Sequence, residues 1–256
     1  MSLPPIPPPL ASHPCKVCGS PAPWLGAVDF SKWCSRDWRK TPATGVGVDY
    51  YRCNSCGLLF SPSFDRFTPE EWKRYIYNAE YLQIDPDYAG ERGHSYGNLF
   101  AKAFPDGPQL HTIDYGGGQG SLGAALRGLN WQNVTTYDPF VPEFSQRPAN
   151  KADLVIALEV LEHAHNPAAT FDEMASLRND DGLILATTLF LPPVKNSSLL
   201  EWWYVAPRNG HVTIHTEKSL RLLASRANLR MCSNPTASVH YFWRERPAWA
   251  DQVLPE

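Results

Sequence analysis

At 256 residues the chain has room for one full α/β domain and a small module. A net charge of −3 excludes broad nucleic-acid binding through bulk electrostatics, though not a local basic patch. No apolar run reaches membrane-span length and no export pattern opens the chain, so a reducing cytoplasm is the expected compartment and no membrane partner is expected.

Residues 1–14 are rich in proline and carry no periodic apolar pattern, so they are expected to form an unpacked, disordered tail. Two knuckles follow, Cys15-Lys-Val-Cys18-Gly19 and Cys53-Asn-Ser-Cys56-Gly57. A two-residue spacer lets both thiolates of a knuckle face one ion, and the glycine permits the tight turn. Four sulfurs close a tetrahedral structural site, which assigns Cys15, Cys18, Cys53 and Cys56 to Zn²⁺; thiol redox chemistry is the competing use of such pairs. Residues 15–66 thus resemble a zinc ribbon whose thin core needs a metal to fold. Cys34 and Cys232 are left over. Ser31 to Lys40 interleaves Lys32, Arg36, Arg39 and Lys40 with Trp33 and Trp38, either a solvated face or a grip for an anionic partner.

Residues 67–108 read as a helical linker or lid. Thr68-Pro-Glu-Glu71 is a helix start, and Leu99 to Phe104 a second helix ahead of Pro105. Residues 109–246 then alternate strands and helices: strands at 110–115 and 133–138 flank a helix at 121–128. A strand at 153–158 precedes a helix at 167–177, a turn at Asp180-Asp-Gly182 and a strand at 183–189. After an excursion over 190–216 come a helix to Arg226 and strands at 229–232 and 239–244. Residues 247–256 are left as a tail.

The first of these strands ends in Asp114-Tyr115 and breaks into Gly116-Gly117-Gly118-Gln-Gly120. Glycines there allow positive φ and close approach of a ligand to backbone. Asp138, at the tip of the next strand, is placed to accept hydrogen bonds from ribose hydroxyls. Gly118-x-Gly120-x-x-Gly123 also fits the dinucleotide fingerprint, which leaves NAD as a competing ligand.

Asp114-x-Gly116-x-Gly118-x-Gly120, followed by the strand-end run Glu159-Val-Leu-Glu162-His163, resembles class I S-adenosylmethionine (SAM) methyltransferases over roughly residues 95–245. The resemblance implies an α/β Rossmann-like sheet, mostly parallel, with an antiparallel last strand. Only fourteen residues separate Asp138 from Asp153, too few for a helix and a strand, so the family's third strand is expected to be reduced or absent. By resemblance, SAM is the cofactor. Asp114, Tyr115, Gly116, Gly117, Gly118 and Gly120 cradle its methionine part. Asp138 and Pro139 take the ribose, Leu158 and Glu159 border the ligand, and Tyr88 and Arg92 reach it from the preceding segment.

Transfer of an activated sulfonium methyl needs alignment, exclusion of water and, for oxygen or nitrogen acceptors, a base. His211 is the first candidate for that base and His163 the second. Resemblance to methyltransferases with a Glu-x-x-Glu-His set adds a divalent cation at Glu159, Glu162 and His163, with His211 or His215 as a further ligand. A small-molecule acceptor (sugar, lipid or natural-product intermediate) is expected; RNA gripped by the cysteine module and a non-catalytic SAM-binding protein are the alternatives.

Overall fold

The computed structural model describes residues 6–234, 236 and 238–254. Its strands are β1 (Ser12–Pro14), β2 (Pro21–Asp29), β3 (Gly47–Arg52), β4 (Leu59–Phe60), β5 (His111–Tyr115), β6 (Asn133–Tyr137), β7 (Ala152–Leu158), β8 (Arg178–Thr187), β9 (Thr213–Ile214), β10 (Arg230–Asn234) and β11 (Val239–Trp243). The helices are α1 (Pro69–Tyr75), α2 (Tyr81–Ile84), α3 (Glu91–Ala103), α4 (Ser121–Gly128), α5 (Pro167–Leu177), α6 (Asn196–Leu199) and α7 (Glu217–Arg226). They form two compact units. Unit 1 holds residues 1–86, 161–168 and 189–223, and unit 2 holds residues 87–160, 169–188 and 224–256.

Unit 1 is built on an antiparallel sheet in the order β1-β2-β3-β4-β9. Two differences from the sequence reading follow. Part of the supposed tail, Ser12–Pro14, pairs with β2, and Leu10 exchanges hydrogen bonds with the Tyr51 hydroxyl; residues 1–5 lie outside the described residues. Nor does the cysteine module end at residue 66, because Leu59 and Phe60 pair with Ile214 and Thr213, far along the chain. At α1 the local chemistry is as expected: Thr68 accepts from the Glu71 amide while Glu71 accepts from the Thr68 amide, a capping box with proline at the first helical position.

Unit 2 carries a sheet in the order β10-β11-β8-β7-β5-β6. Strands β6, β5, β7 and β8 run parallel, and β11 and β10 close the sheet antiparallel. β7 is apolar along nearly its whole length, as a parallel strand covered on both faces must be. β6 stands at the sheet's edge, and among the described residues no strand lies between it and β7, only a short turn of helix at Pro142–Phe144. Asp180-Asp-Gly182 does not end an element. Ala152 pairs with Arg178 and Leu154 with Leu183, so the acidic residues form a bulge inside β8. The Arg178 guanidinium holds that bulge by donating to the carbonyls of Asn179, Asp180 and Gly182.

The core of unit 2 includes Phe100, Phe104, Leu126, Trp131 and Ile156. Ala250 and Leu254 also belong to it, so the expected C-terminal tail is anchored through residue 254; Glu256 and Pro255 lie outside the described residues. The helix α3 starts eight residues before the expected Leu99. Gly93 and Gly97 sit inside it because a Cβ at Gly93 would strike Ser121, and one at Gly97 would lie 2.9 Å from the Ala125 Cβ.

Candidate functional site

In unit 2, β5 delivers the chain into the glycine loop at the carboxyl end of the sheet, where ligands of open α/β sheets bind. Gly116, Gly118 and Gly120 all take positive φ, at 67°, 54° and 78°, which L side chains rarely adopt. Gly116 donates to the Tyr137 carbonyl at 2.8 Å, tying the loop's start to the end of β6. Gly120 caps α4, whose N-terminus follows directly.

The two acids have separate tasks. Asp114 is buried beneath the loop, where its Oδ2 accepts from the Gly123 amide at 3.2 Å and the Thr136 hydroxyl at 3.3 Å. A Cβ on Gly117 or Gly123 would collide with this group, Asp114 with the former and Thr136 with the latter. Asp114 thus braces the loop from within. Burial pushes its carboxyl up to about 7, against the opposing pull of those hydrogen bonds. Asp138 has Oδ2 accepting from the Gly118 amide at 2.9 Å and Oδ1 from the Phe140 amide at 2.8 Å. A carboxylate accepts about four hydrogen bonds, so it keeps acceptor capacity beyond these backbone donors. Burial raises its pKa as well.

Among the other expected cofactor residues, Tyr88 comes to the loop: a Cβ on Gly118 would lie 3.2 Å from its hydroxyl. Arg92 sits on α3 one residue before the close crossing with α4. Pro139 is exposed just after Asp138. The Tyr115 hydroxyl is committed to Glu173 of α5. Leu158 ends β7, and Glu159 follows in left-handed backbone, φ 51°, with its carboxylate accepting the Thr187 hydroxyl at 2.9 Å. A non-glycine residue held in that region marks a locally over-determined backbone.

In unit 1, the Val212 and Thr213 amides donate to the Glu162 carbonyl at 2.9 and 3.0 Å, drawing residues 161–168 against the stretch after Gly210. Donor atoms of Glu162, His163 and His211 consequently lie within 4.8 Å of one another. Each has an outer partner. The Tyr204 hydroxyl donates to Glu162 Oε1, His163 Nδ1 is 3.3 Å from the Tyr77 hydroxyl, and His211 Nδ1 is 2.8 Å from the Tyr204 carbonyl. A carbonyl only accepts, so that contact assigns the proton to Nδ1 and makes Nε2 the basic atom of the His211 ring. Gly210 permits the approach, since a Cβ there would lie 3.2 Å from His163 Nδ1. The donor group within unit 1 is Glu162, His163 and His211; Glu159, expected with Glu162 and His163, belongs to unit 2, where its carboxylate accepts from the Thr187 hydroxyl. His215 is not in the group; its Nδ1 is 3.1 Å from the Ser219 hydroxyl at the start of α7. Nothing in the sequence flagged Tyr77 as a partner of His163, 86 residues away, or Tyr204 as a partner of Glu162, 42 residues away.

The four knuckle cysteines also meet. Cys15 and Cys56 sulfurs are 3.5 Å apart and Cys18 and Cys53 sulfurs 3.4 Å, with all four donors within 4.8 Å. Three of the four cations of the basic stretch have partners within unit 1. Lys32 is buried with its ammonium donating to the Leu200 and Trp202 carbonyls, Arg39 pairs with Glu201, and Lys40 lies 3.1 Å from Asp37.

No helix among the described residues is long and apolar enough to cross a membrane. No curated protein matches the chain in sequence. Among solved structures, an O-methyltransferase family protein from Burkholderia thailandensis is similar, at 16% identity and a TM-score of 0.51, over 70% of this chain and 64% of that one. Magnesium protoporphyrin IX methyltransferase from Synechocystis PCC 6803, with bound SAM, is 18% identical with a TM-score of 0.45, over 71% of this chain and 93% of that one. Human N-acetylserotonin methyltransferase, in complex with SAM, is 16% identical with a TM-score of 0.45, over 72% and 58%. The chain thus spans 64% of the length of the Burkholderia protein, and at such low identity that likeness is one of fold. The profile of a family described as a methyltransferase domain matches residues 88–234, more than half of the sequence, and the chain belongs to that family.

Proposed function

We propose that the chain transfers the methyl group of SAM to a small-molecule acceptor. The observation that carries this reading is the glycine loop itself. Three left-handed glycines stand at the carboxyl ends of parallel strands, and one of their amides is held by an acid at the tip of the adjacent strand. Gly116, Gly117, Gly118 and Gly120, with Tyr88 and Arg92, are proposed to receive the methionine part; Asp138 takes the ribose through its remaining acceptor capacity, beside Pro139, Leu158 and Glu159. A small acceptor is favoured over RNA because Lys32 is buried on main-chain carbonyls and Arg39 and Lys40 are each paired with a carboxylate.

His211 is proposed as the base, acting through Nε2, with His163 beside it. A second reading of these residues rests on their distances: Glu162, His163 and His211 are a carboxylate and two imidazoles, a donor set suited to a divalent cation. An ion bound there would polarise an acceptor oxygen. Cys15, Cys18, Cys53 and Cys56 are proposed to hold a structural Zn²⁺ as four thiolates, their sulfurs lying within 4.8 Å of one another.

Melting curves with SAM, S-adenosylhomocysteine and NAD test the cofactor. SAM and its product are expected to raise the melting temperature and NAD to leave it unchanged. Labelled methyl transfer to metabolite and RNA fractions then identifies the acceptor. Stabilisation by NAD alone sinks the reading.

A further inference from the structure

Tyr115 closes β5, Tyr137 closes β6, and the two are partners in the parallel register. Parallel neighbours present their side chains on one face of the sheet. Here both rings converge on a single carboxylate. The Tyr115 hydroxyl donates to Glu173 Oε2 at 2.7 Å and the Tyr137 hydroxyl to Glu173 Oε1 at 2.9 Å, with the rings in edge contact at 5.7 Å. The same turn of α5 also holds the 139–151 connection. Arg147 Nη2 donates to the Ser176 hydroxyl at 2.9 Å, and Arg147 Nε lies 3.9 Å from Glu173 Oε1.

The next residue after each tyrosine belongs to the proposed cofactor site: Gly116 after Tyr115, and Asp138 after Tyr137. Both tyrosines are largely buried and their hydroxyls share Glu173 as acceptor, so the two strand ends are tied to one side chain of α5. Burial and the adjacent carboxylate raise both phenols, Tyr137 to about 12, which keeps them as donors at neutral pH. Among the described residues β6 has a neighbour on one side only and lacks the second hydrogen-bonded ladder that would fix its end within a sheet.

We propose that Glu173 is a positioning residue for the cofactor site: by accepting from Tyr115 and Tyr137 together, it fixes the glycine loop and Asp138 relative to one another and does from the helix side what a further strand beside β6 would otherwise do. Glu173 does not touch the cofactor in this account. The inference rests on the assignment of the loop and Asp138 to SAM, so its test has two readouts, one of which needs no ligand.

In the first, amide hydrogen exchange is measured on the full chain without ligand. Glu173→Ala is expected to accelerate exchange selectively at Gly116, Gly118 and Phe140, whose amides make the loop's internal bonds. In the second, titration with S-adenosylhomocysteine is expected to show roughly tenfold weaker binding, about 1.4 kcal/mol. Glu173→Gln, which keeps an acceptor, should recover most of that affinity, and adding Tyr115→Phe and Tyr137→Phe to Glu173→Ala should cost nothing more. If Glu173→Ala does not fold, Tyr137→Phe removes one arm of the clasp and is expected to give the same selective exchange. Unchanged affinity in a folded Glu173→Ala chain overturns the proposal, as does faster exchange spread evenly over unit 2. A wild-type chain that bound no S-adenosylhomocysteine would instead remove the cofactor assignment, with the exchange pattern still deciding whether the clasp exists.

Discussion

Asp114 and Asp138 are both acids at strand ends, yet their surroundings give them different work. Asp114 lies under the glycine loop among groups that donate to it, and burial outweighs those donors, lifting its pKa from 3.8 to about 7. A carboxyl whose folded pKa lies above its unfolded value stabilises the fold fully at low pH, and that contribution is lost as pH rises through the folded value. Denaturant titrations from acid to weakly alkaline pH should therefore show a component of stability that declines up to about pH 7. Asp114→Asn, which keeps an acceptor for Gly123 and Thr136, should lack that component; the same slope in both proteins would rule Asp114 out as its source. His211 calls for a kinetic measurement. As a base it should matter to turnover more than to cofactor affinity, so His211→Ala is expected to lower kcat by about 100-fold or more while changing SAM binding little. Full activity in that variant would remove it from the chemistry.

Among the helices, glycine placement separates local propensity from packing. Gly97 lies mid-helix in α3, where alanine would be the better helix former by about 1 kcal/mol. A Cβ there would nonetheless press on Ala125 at 2.9 Å, tighter than real contacts allow. Gly128, the last residue of α4, has open space around its would-be Cβ. Gly128→Ala is thus expected to stabilise by about 0.5–1 kcal/mol. Gly97→Ala is expected to destabilise by about 1–3 kcal/mol, because overpacking exceeds the helix gain. Thermal melts of the two variants check this, and a raised melting temperature in Gly97→Ala would show that α3 and α4 are not as closely packed as described. The bulge in β8 teaches a similar lesson: a strong turn signal at Asp180-Asp-Gly182 is absorbed into a strand because Arg178 satisfies the carbonyls that the bulge exposes.

At the scale of the whole chain, the cysteine cluster is part of unit 1 and cannot be treated as an N-terminal appendage. The Thr216 hydroxyl donates to the Cys56 carbonyl, Lys218 donates to the Ser55 carbonyl, and β9 pairs with β4. His211 lies two residues before β9, and the Tyr50 hydroxyl on β3 donates to its carbonyl at 2.7 Å. Removing the proposed Zn²⁺ with a chelator, or by Cys53→Ser, should therefore loosen residues 189–223 along with residues 12–60. Turnover should fall while SAM affinity, which we propose to reside in unit 2, is retained. Protection from hydrogen exchange over both stretches, with and without chelator, reads this directly; loosening confined to residues 12–60 would show that β9 does not depend on the metal.

The elements that sequence alone determined are those whose signals are local. The glycine loop was legible because glycine adopts φ values such as 54° at Gly118 far more readily than other residues, and the reduced third strand because fourteen residues between two acids cannot hold a helix and a strand. The paired knuckles announced a four-sulfur cluster by spacing alone. Tertiary structure decided whatever depends on partners distant in the chain. It turned Asp114 inward to brace the loop, drew His211 to Glu162 and His163 across some fifty residues, and gave the Glu159 carboxylate the Thr187 hydroxyl as its donor. It also gave Tyr115 and Tyr137 a shared acceptor on α5, and it added β9 to the sheet of the cysteine module. The division has a physical cause: backbone strain and chain length act within a few residues and leave marks in composition. A hydrogen bond between remote groups constrains only two residue types and leaves no periodicity to read.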